Sequence, residues 1–319
     1  SGKQERGRLS AAQNAGRVRE RMKKGFSLVI LSAVLFGTMP FFAKQIYGMG
    51  GNSLTLCFHR FCLSIPFLYL IVRYKYKISL KITGREFRKI LVLSLCCAGT
   101  PLLLFQSYRY IPSGMATTIH FVYPILVLLG CVVFYRERLT VKKSVCATLC
   151  LLGILFFYTP GESGSPAGVA LAFASGVTYA LYVLYYSKSG LAEMNTFKLS
   201  FYLSLVSSAG ILAGAVLSGK IVYEMPPQAW LLSVLFAFIV SVVATVSFQA
   251  GTARIGPEKS SMLSTFEPLT SIAAGVVLFS EPVTPRTAFG IACILCAVIL
   301  LAYGDRSSNK LTFTDETVH

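Results

Sequence analysis

Few side chains in this sequence could do chemistry, and those that could stand inside long apolar runs. His59 and Arg60 interrupt one run, His120 a second and Glu267 a third. An arginine suits a carboxylate, because its guanidinium presents a planar fork of donors. A glutamate suits an ammonium, and a glutamate or a histidine could load and release a proton. Tyr179, Tyr182 and Tyr186 recur at i, i+3 and i+7 on one helical face. They would offer a hydroxyl-bearing wall to a planar or zwitterionic solute, or serve equally as helix packing or an interfacial belt. Thr38, Gln106 and Tyr123 are softer candidates of the same kind. The chemistry suggested is binding and proton exchange, with no catalytic set.

Composition says what must position these groups. Of 319 residues, 54 % are apolar and 13 % charged, where soluble domains carry roughly 25 % charged residues. The apolar residues collect in windows near the ~20 residues a helix needs to cross a bilayer. They lack the period-2 alternation of a barrel strand. The expected fold is therefore an all-α polytopic membrane protein. Ten transmembrane helices fit, at roughly 25–46, 53–72, 88–108, 112–134, 141–158, 167–187, 198–218, 228–250, 256–279 and 285–303. Gly37 and Pro40 interrupt the first, Gly99 and Pro101 the third.

Depth follows from a rise of about 1.5 Å per helical residue. His59 and Arg60 then lie about 10 Å into the membrane, His120 about 12 Å and Glu267 about 16 Å. A charge at the bilayer centre costs about 2.5–3.5 kcal/mol on insertion scales, so each deep charge asks for a reason. Arg60 could bind a solute or bridge carbonyls between helices. Glu267 could carry a proton or brace the neighbouring Pro268. His120 is read as functional. His59 is adjacent to Arg60, points about 100° away around the helix, and is read as packing or lipid-facing.

The chain also repeats itself. Ile111, Pro124, Glu137 and Thr140 recur as Ile255, Pro268, Glu281 and Thr284, each 144 residues on (255 − 111, 268 − 124, 281 − 137, 284 − 140). Phe105-Gln106 returns as Phe248-Gln249 at 143 (248 − 105). A repeat this long is half a protein rather than a solenoid unit. Five helices per half make two inverted five-helix repeats, a transporter signature. The expected organisation is a basic tail 1–24, a first repeat 25–158, a linker 159–166, a second repeat 167–303 and a polar tail 304–319. Pro124 and Pro268 each remove a backbone donor in mid-membrane. Freed carbonyls there are tolerated inside protein or beside a watery cavity, so both helix breaks argue for a path, or for simple packing kinks. Glu137 and Glu281 stand at helix ends and read as capping groups.

Charge sets orientation and excludes other classes. Residues 1–24 hold eight Lys or Arg, residues 73–89 hold seven, and Arg136, Arg138, Lys142 and Lys143 follow. The positive-inside rule puts both termini in the cytoplasm. The net charge of +17 is then mostly a topology signal and an attraction to anionic lipid. The cations form no stripe with interleaved aromatics, so no nucleic-acid partner is expected. No Walker-type phosphate loop is present, so no direct ATP drive and no cofactor are expected. The nine cysteines lie in apolar windows. Cys293 and Cys296, though spaced C-x-x-C, read as small apolar packing residues, with no metal expected. An intramembrane enzyme would need paired carboxylates or a histidine-rich set, and the three histidines here include His319. A channel would need a continuous polar lining.

Residues 26–303 resemble the EamA-type transporters of the drug/metabolite transporter superfamily. The resemblance rests on Arg60-Phe61, Tyr110-Ile111, Pro124, Glu137 and Leu139-Thr140, with Glu267-Pro268 and Glu281 in the second half. The second half lacks a counterpart of Arg60-Phe61, since it reads Phe201-Tyr202-Leu203 there. The resemblance implies ten spans in two inverted repeats in a bacterial plasma membrane. It implies export of amino acids or related small metabolites by alternating access, or of drugs and cationic compounds. The expected solute site is Thr38, Arg60, Gln106, His120, Tyr123, Tyr179, Tyr182 and Glu267. Glu267 and His120 are the candidate proton carriers.

Overall fold

In a computed structural model, residues 2–111, 113–136, 140–156, 165–218, 221–270, 273, 284–286, 288–297 and 300 are described. Glu137, Glu281, most of the linker and the tail 304–319 lie outside them, so expectations about those segments are not addressed. The described residues form helices and turns, with no strand among them.

The first apolar window holds α1 (Gly2–Phe36) and α2 (Met39–Gly48). The second holds α3 (Ser53–Cys62), α4 (Ser64–Leu70) and a π-helical turn at Ile71–Lys75. Next come α5 (Gly84–Ser107), α6 (Ser113–His120), α7 (Tyr123–Tyr135) and α8 (Val141–Leu155). The second half contributes α9 (Pro166–Lys188), α10 (Thr196–Ser218) and α11 (Pro227–Phe236). A π-helical segment, Ala237–Ala244, joins α11 to α12 (Thr245–Ile255), and α13 (Pro257–Leu263) follows. Six described stretches are long and apolar enough to cross a membrane, and Tyr123–Tyr135 and Ala288–Ala297 are shorter apolar helices. Leu95, Val133, Phe134 and Leu231 point outward and stay more than half exposed, as lipid-facing side chains do. The protein is an all-α polytopic membrane protein.

Helix ends follow local chemistry. Asn52 accepts from the Thr55 amide at 2.9 Å and starts α3. Thr83 and Glu86 form a reciprocal capping box that starts α5, satisfying two amides left over at the helix start. Gly256, at φ +85°, turns the chain between α12 and α13.

The basic segment 1–24 is helical and continuous with the first membrane window, since α1 runs unbroken from Gly2 to Phe36. No proline interrupts that stretch, and Glu20 pairs with Lys24 one turn on at 3.2 Å. The third window is not broken at Pro101. Thr100 Oγ1 donates to the Cys96 carbonyl at 2.9 Å, within the turn that the proline leaves short of a donor. The second window does break, at Leu63. Pro66 withdraws a donor there, and Ser64 Oγ bonds the Phe61 carbonyl at 2.7 Å.

Two faces close the bundle. One carries the 49–52 turn, the end of α5 and residues 221–226, tied by the Val222 amide to Thr55 Oγ1 at 3.0 Å. The other is the basic face. There Lys198 Nζ bonds the Lys81 carbonyl at 2.7 Å, Tyr202 bonds the Leu80 carbonyl, and Lys143 pairs with Glu258 at 2.5 Å.

Candidate functional site

Two broken helices build the middle of the bundle. α6 stops at His120, a turn occupies Phe121–Val122, and α7 restarts just before Pro124. Pro124 cannot donate to the His120 carbonyl, so the helix cannot run straight through. α13 stops at Leu263, a turn occupies Ser264–Thr265, and helix resumes at Phe266 just before Pro268. There the Glu267 amide bonds the Ser264 carbonyl at 2.9 Å. Each break is met by a glycine from the other half of the chain. A Cβ on Gly176 would sit 2.8 Å from the His120 carbonyl oxygen, and one on Gly37 would sit 2.6 Å from that of Glu267.

Between the breaks lies a cavity of about 50 Å³, lined by Arg60, His120, Tyr179, Tyr182 and Glu267. Phe36, Phe105 and Phe248 supply aromatic walls, and Thr100, Cys97 and Thr245 line it too. That volume holds a few waters, whereas small-molecule pockets run to about 300–1,000 Å³. The cavity is therefore closed down in this conformation. A second, larger space of about 950 Å³ opens at the 49–52 face, lined by Tyr47, Asn52, Ser53, Gln106 and Arg109 among others.

Arg60 is 7 % exposed. Its guanidinium carbon sits 5.8 Å from the Phe36 ring and 5.3 Å from the Phe61 ring, and its Nη1 reaches Met39 Sδ at 3.8 Å. Its Nε is buried with no hydrogen-bond partner among the described residues. The Arg60 backbone is fixed from behind, since Ser241 Oγ in the π-helical segment donates to its carbonyl at 3.0 Å. π-turns often mark functional positions because they re-aim the chain. Glu267 is half-buried. Among the described residues, neither it nor Arg60 forms an ion pair. An ionisable group buried without a partner is costly, and here a basic and an acidic one face one small space.

His120 is held by Ser175. Ser175 Oγ spends its proton on the Ala172 carbonyl at 2.6 Å. The His120 Nδ1 contact with that oxygen, at 2.9 Å, therefore has the ring as donor, and in the neutral ring Nε2 is then the acceptor. Tyr179 and Tyr182 stack at 5.8 Å with their rings 14° apart. Gln249 Nε2 donates to the Tyr182 hydroxyl at 2.8 Å, and Ser200 Oγ donates to Gln249 Oε1 at 3.0 Å. The Tyr182 proton stays available to the cavity.

Three expected site residues do not line it. Thr38 spends its hydroxyl on the Leu35 carbonyl at 2.6 Å, closing the end of α1. Gln106 faces the 950 Å³ space and accepts from Ser53 Oγ at 3.3 Å. Its neighbour Phe105 takes the cavity position, about 100° away around the helix. Tyr123 is fully buried behind the wall, edge-on to Tyr179 at 4.6 Å. Tyr186, the third of the tyrosine stripe, is buried below the cavity. His59 packs on Trp230 at 4.5 Å and contacts Ser233 at 3.2 Å. Residues not foreseen at the cavity include Phe105, Phe248, Phe36, Cys97, Thr100 and Thr245. The Phe-Gln echo was the signal for the first two.

A membrane bundle with broken helices around a buried basic and a buried acidic side chain, without ion pairs among the described residues, belongs to the class of membrane transport proteins. The profile of the EamA-like transporter family matches residues 23–159 and again 166–303, and the chain belongs to that family. An uncharacterized transporter of Archaeoglobus fulgidus is 26 % identical over 88 % of this chain and 96 % of its own length. The chloramphenicol-sensitive protein RarD of Pseudomonas aeruginosa is 25 % identical over 88 % and 94 %. A solved crystal structure shares the fold at a TM-score of 0.73 and 17 % identity, over 89 % of this chain and 98 % of that one.

Proposed function

We propose that the protein is a secondary active transporter that exports amino acids or related small zwitterionic metabolites by alternating access. One observation carries this reading: a basic group, Arg60, and an acidic group, Glu267, line one cavity, and among the described residues neither forms an ion pair. A zwitterion supplies both missing partners at once, a carboxylate for the guanidinium fork and an ammonium for the glutamate. The basic face is assigned to the cytoplasm, which puts the N-terminus inside, with the bacterial plasma membrane as the site. Glu267 and His120 are the groups that would exchange a proton with the solute pathway. The inverted pairing of Gly37 and Gly176 with the two breaks supports two five-helix repeats that rock against each other.

A second reading is export of cationic or amphipathic drugs. The aromatic walls and Glu267 favour it, and the buried Arg60 opposes it. Counterflow of a panel of radiolabelled amino acids and cationic drugs into proteoliposomes of the purified protein separates the two. Saturable exchange of a zwitterion, lost in Arg60→Gln, is expected. Exchange of cations that survives Arg60→Gln would favour the drug reading, and unsaturable flux would favour a channel.

A further inference from the structure

The two ends of the path are not in the same state. At the basic face, Tyr186 donates its hydroxyl to the Gln249 carbonyl at 2.8 Å, with both side chains buried. That bond ties α9 to α12 directly below the cavity wall formed by Tyr182. At the other face the 950 Å³ space lies between α2, α3 and α5, and Tyr47 and Gln106 both line it. The Tyr47 hydroxyl is buried and has no hydrogen-bond partner among the described residues.

These four residues are related by the internal repeat. Gln249 follows Gln106 by 143 (249 − 106), the offset of the Phe-Gln echo. Tyr186 follows Tyr47 by 139 (186 − 47), and Gly176 follows Gly37 by the same 139 (176 − 37). The glycine pair occupies matching places, each against a helix break of the opposite half. The register of the first window against the sixth is thereby set, and it makes Tyr47 the counterpart of Tyr186. Each glutamine side chain also accepts from a serine, Ser53 Oγ to Gln106 Oε1 at 3.3 Å and Ser200 Oγ to Gln249 Oε1 at 3.0 Å, although these serines, 147 apart (200 − 53), are not repeat counterparts.

We infer that Tyr47 and Tyr186 are the paired gating residues of the transport cycle. The Tyr186–Gln249 bond closes the basic face in the present conformation. The Tyr47 hydroxyl donates to the Gln106 carbonyl when the opposite face closes, and the Tyr186 bond then opens. An unpaired buried hydroxyl costs free energy, so the present conformation leaves unmade at one end the bond it makes at the other. The two conformations exchange one such bond for its mirror image, which keeps them close in energy. This inference deepens the transporter reading and depends on alternating access.

The test uses Cys97, which lines the cavity, as the sole cysteine, with the other eight replaced. A membrane-impermeant maleimide is applied from each face of oriented vesicles, without any solute. Tyr186→Phe removes the closing bond and should raise the ratio of basic-face to opposite-face labelling by roughly threefold, the worth of one hydrogen bond in a membrane bundle. Tyr47→Phe should lower that ratio by a similar factor, because it removes a bond made only in the other conformation. The double variant should return near the parent ratio, which generalised structural damage would not do. Shifts of the same sign in the two single variants, or no shift in either, would overturn the tyrosine assignment while leaving the transporter reading in place. No labelling of the parent from either face would defeat alternating access itself.

Discussion

Gly176 presses its α-carbon against the carbonyl of His120, the group that Pro124 leaves without a helical donor. An added Cβ would come within 2.8 Å of that oxygen and 3.3 Å of Val122 Cγ1. Backbone cannot yield as a flexible side-chain tip can. Gly176→Ala should therefore push α9 away from the break, at a cost of about 1–3 kcal/mol for overpacking. A lowered melting temperature in detergent, with reduced transport per folded molecule, is the expected outcome. Gly37→Ala should behave alike, since its Cβ would meet the Glu267 carbonyl at 2.6 Å. A variant as stable and active as the parent would mean that neither break needs its glycine.

Arg60 offers a sharper test, because its surroundings contain little to hold a guanidinium besides rings and a thioether. Arg60→Lys keeps the charge and loses the planar fork. If the fork grips a carboxylate, apparent solute affinity should fall roughly tenfold or more, the worth of a charge-assisted hydrogen bond. Folding should be little changed. If Arg60 only bridges helices, stability should drop while the affinity of the remaining folded protein stays the same. Binding isotherms and thermal melts on one preparation separate the two.

The sequence exposed the spans and the deep charges for simple reasons. Lipid demands about 20 apolar residues per helix, so windows are easy to see, and His59, Arg60, His120 and Glu267 stand out within them. Which of these share a cavity was less legible. Depth is a one-dimensional estimate, while facing depends on rotation about each helix. Gln106 and Phe105 have nearly the same depth, yet only Phe105 turns inward to the cavity. Thr38 looked suitable by its place at the first break, but a hydroxyl beside a helix end is readily spent on the last turn, as its bond to Leu35 shows. The unbroken α5 was misread because Pro101 was weighed without the Thr100 hydroxyl that bonds a carbonyl beside it.

Topology gives a prediction independent of any solute. With the basic face in the cytoplasm, a single cysteine at Lys81 should react only from inside. One at Glu224, on the exposed 221–226 segment of the opposite face, should react only from outside. Both report on a cysteine-free background with an impermeant reagent in intact and opened cells. The reverse pattern would place the N-terminus outside and overturn the assignment of the basic face to the cytoplasm.

The last prediction concerns Glu267. It is the acidic side chain on the cavity, half-buried, and it stands one residue before Pro268, with its amide bonded to Ser264 across the break. Three roles make different demands on it. As a proton carrier it must change charge during each cycle. As partner to an ammonium it must stay charged while the solute is bound. As a brace it need not be charged at all, since the bond to Ser264 is made by the backbone. Glu267→Gln keeps the shape and that backbone bond but cannot ionise. A carrier role predicts that gradient-driven export is lost and that solute-for-solute exchange survives, because exchange moves no net proton. A partner role predicts that both modes weaken together and that apparent affinity falls roughly tenfold or more. A bracing role predicts unchanged transport per folded molecule in both modes at every pH. The proposed function favours the first two, and measuring both modes in proteoliposomes across a pH series decides among the three. A stable Glu267→Gln variant with the parent's affinity and pH dependence would remove the residue from the transport mechanism. It would leave Arg60 as the single charge that recognises the solute, and an anion would then replace the zwitterion as the expected cargo.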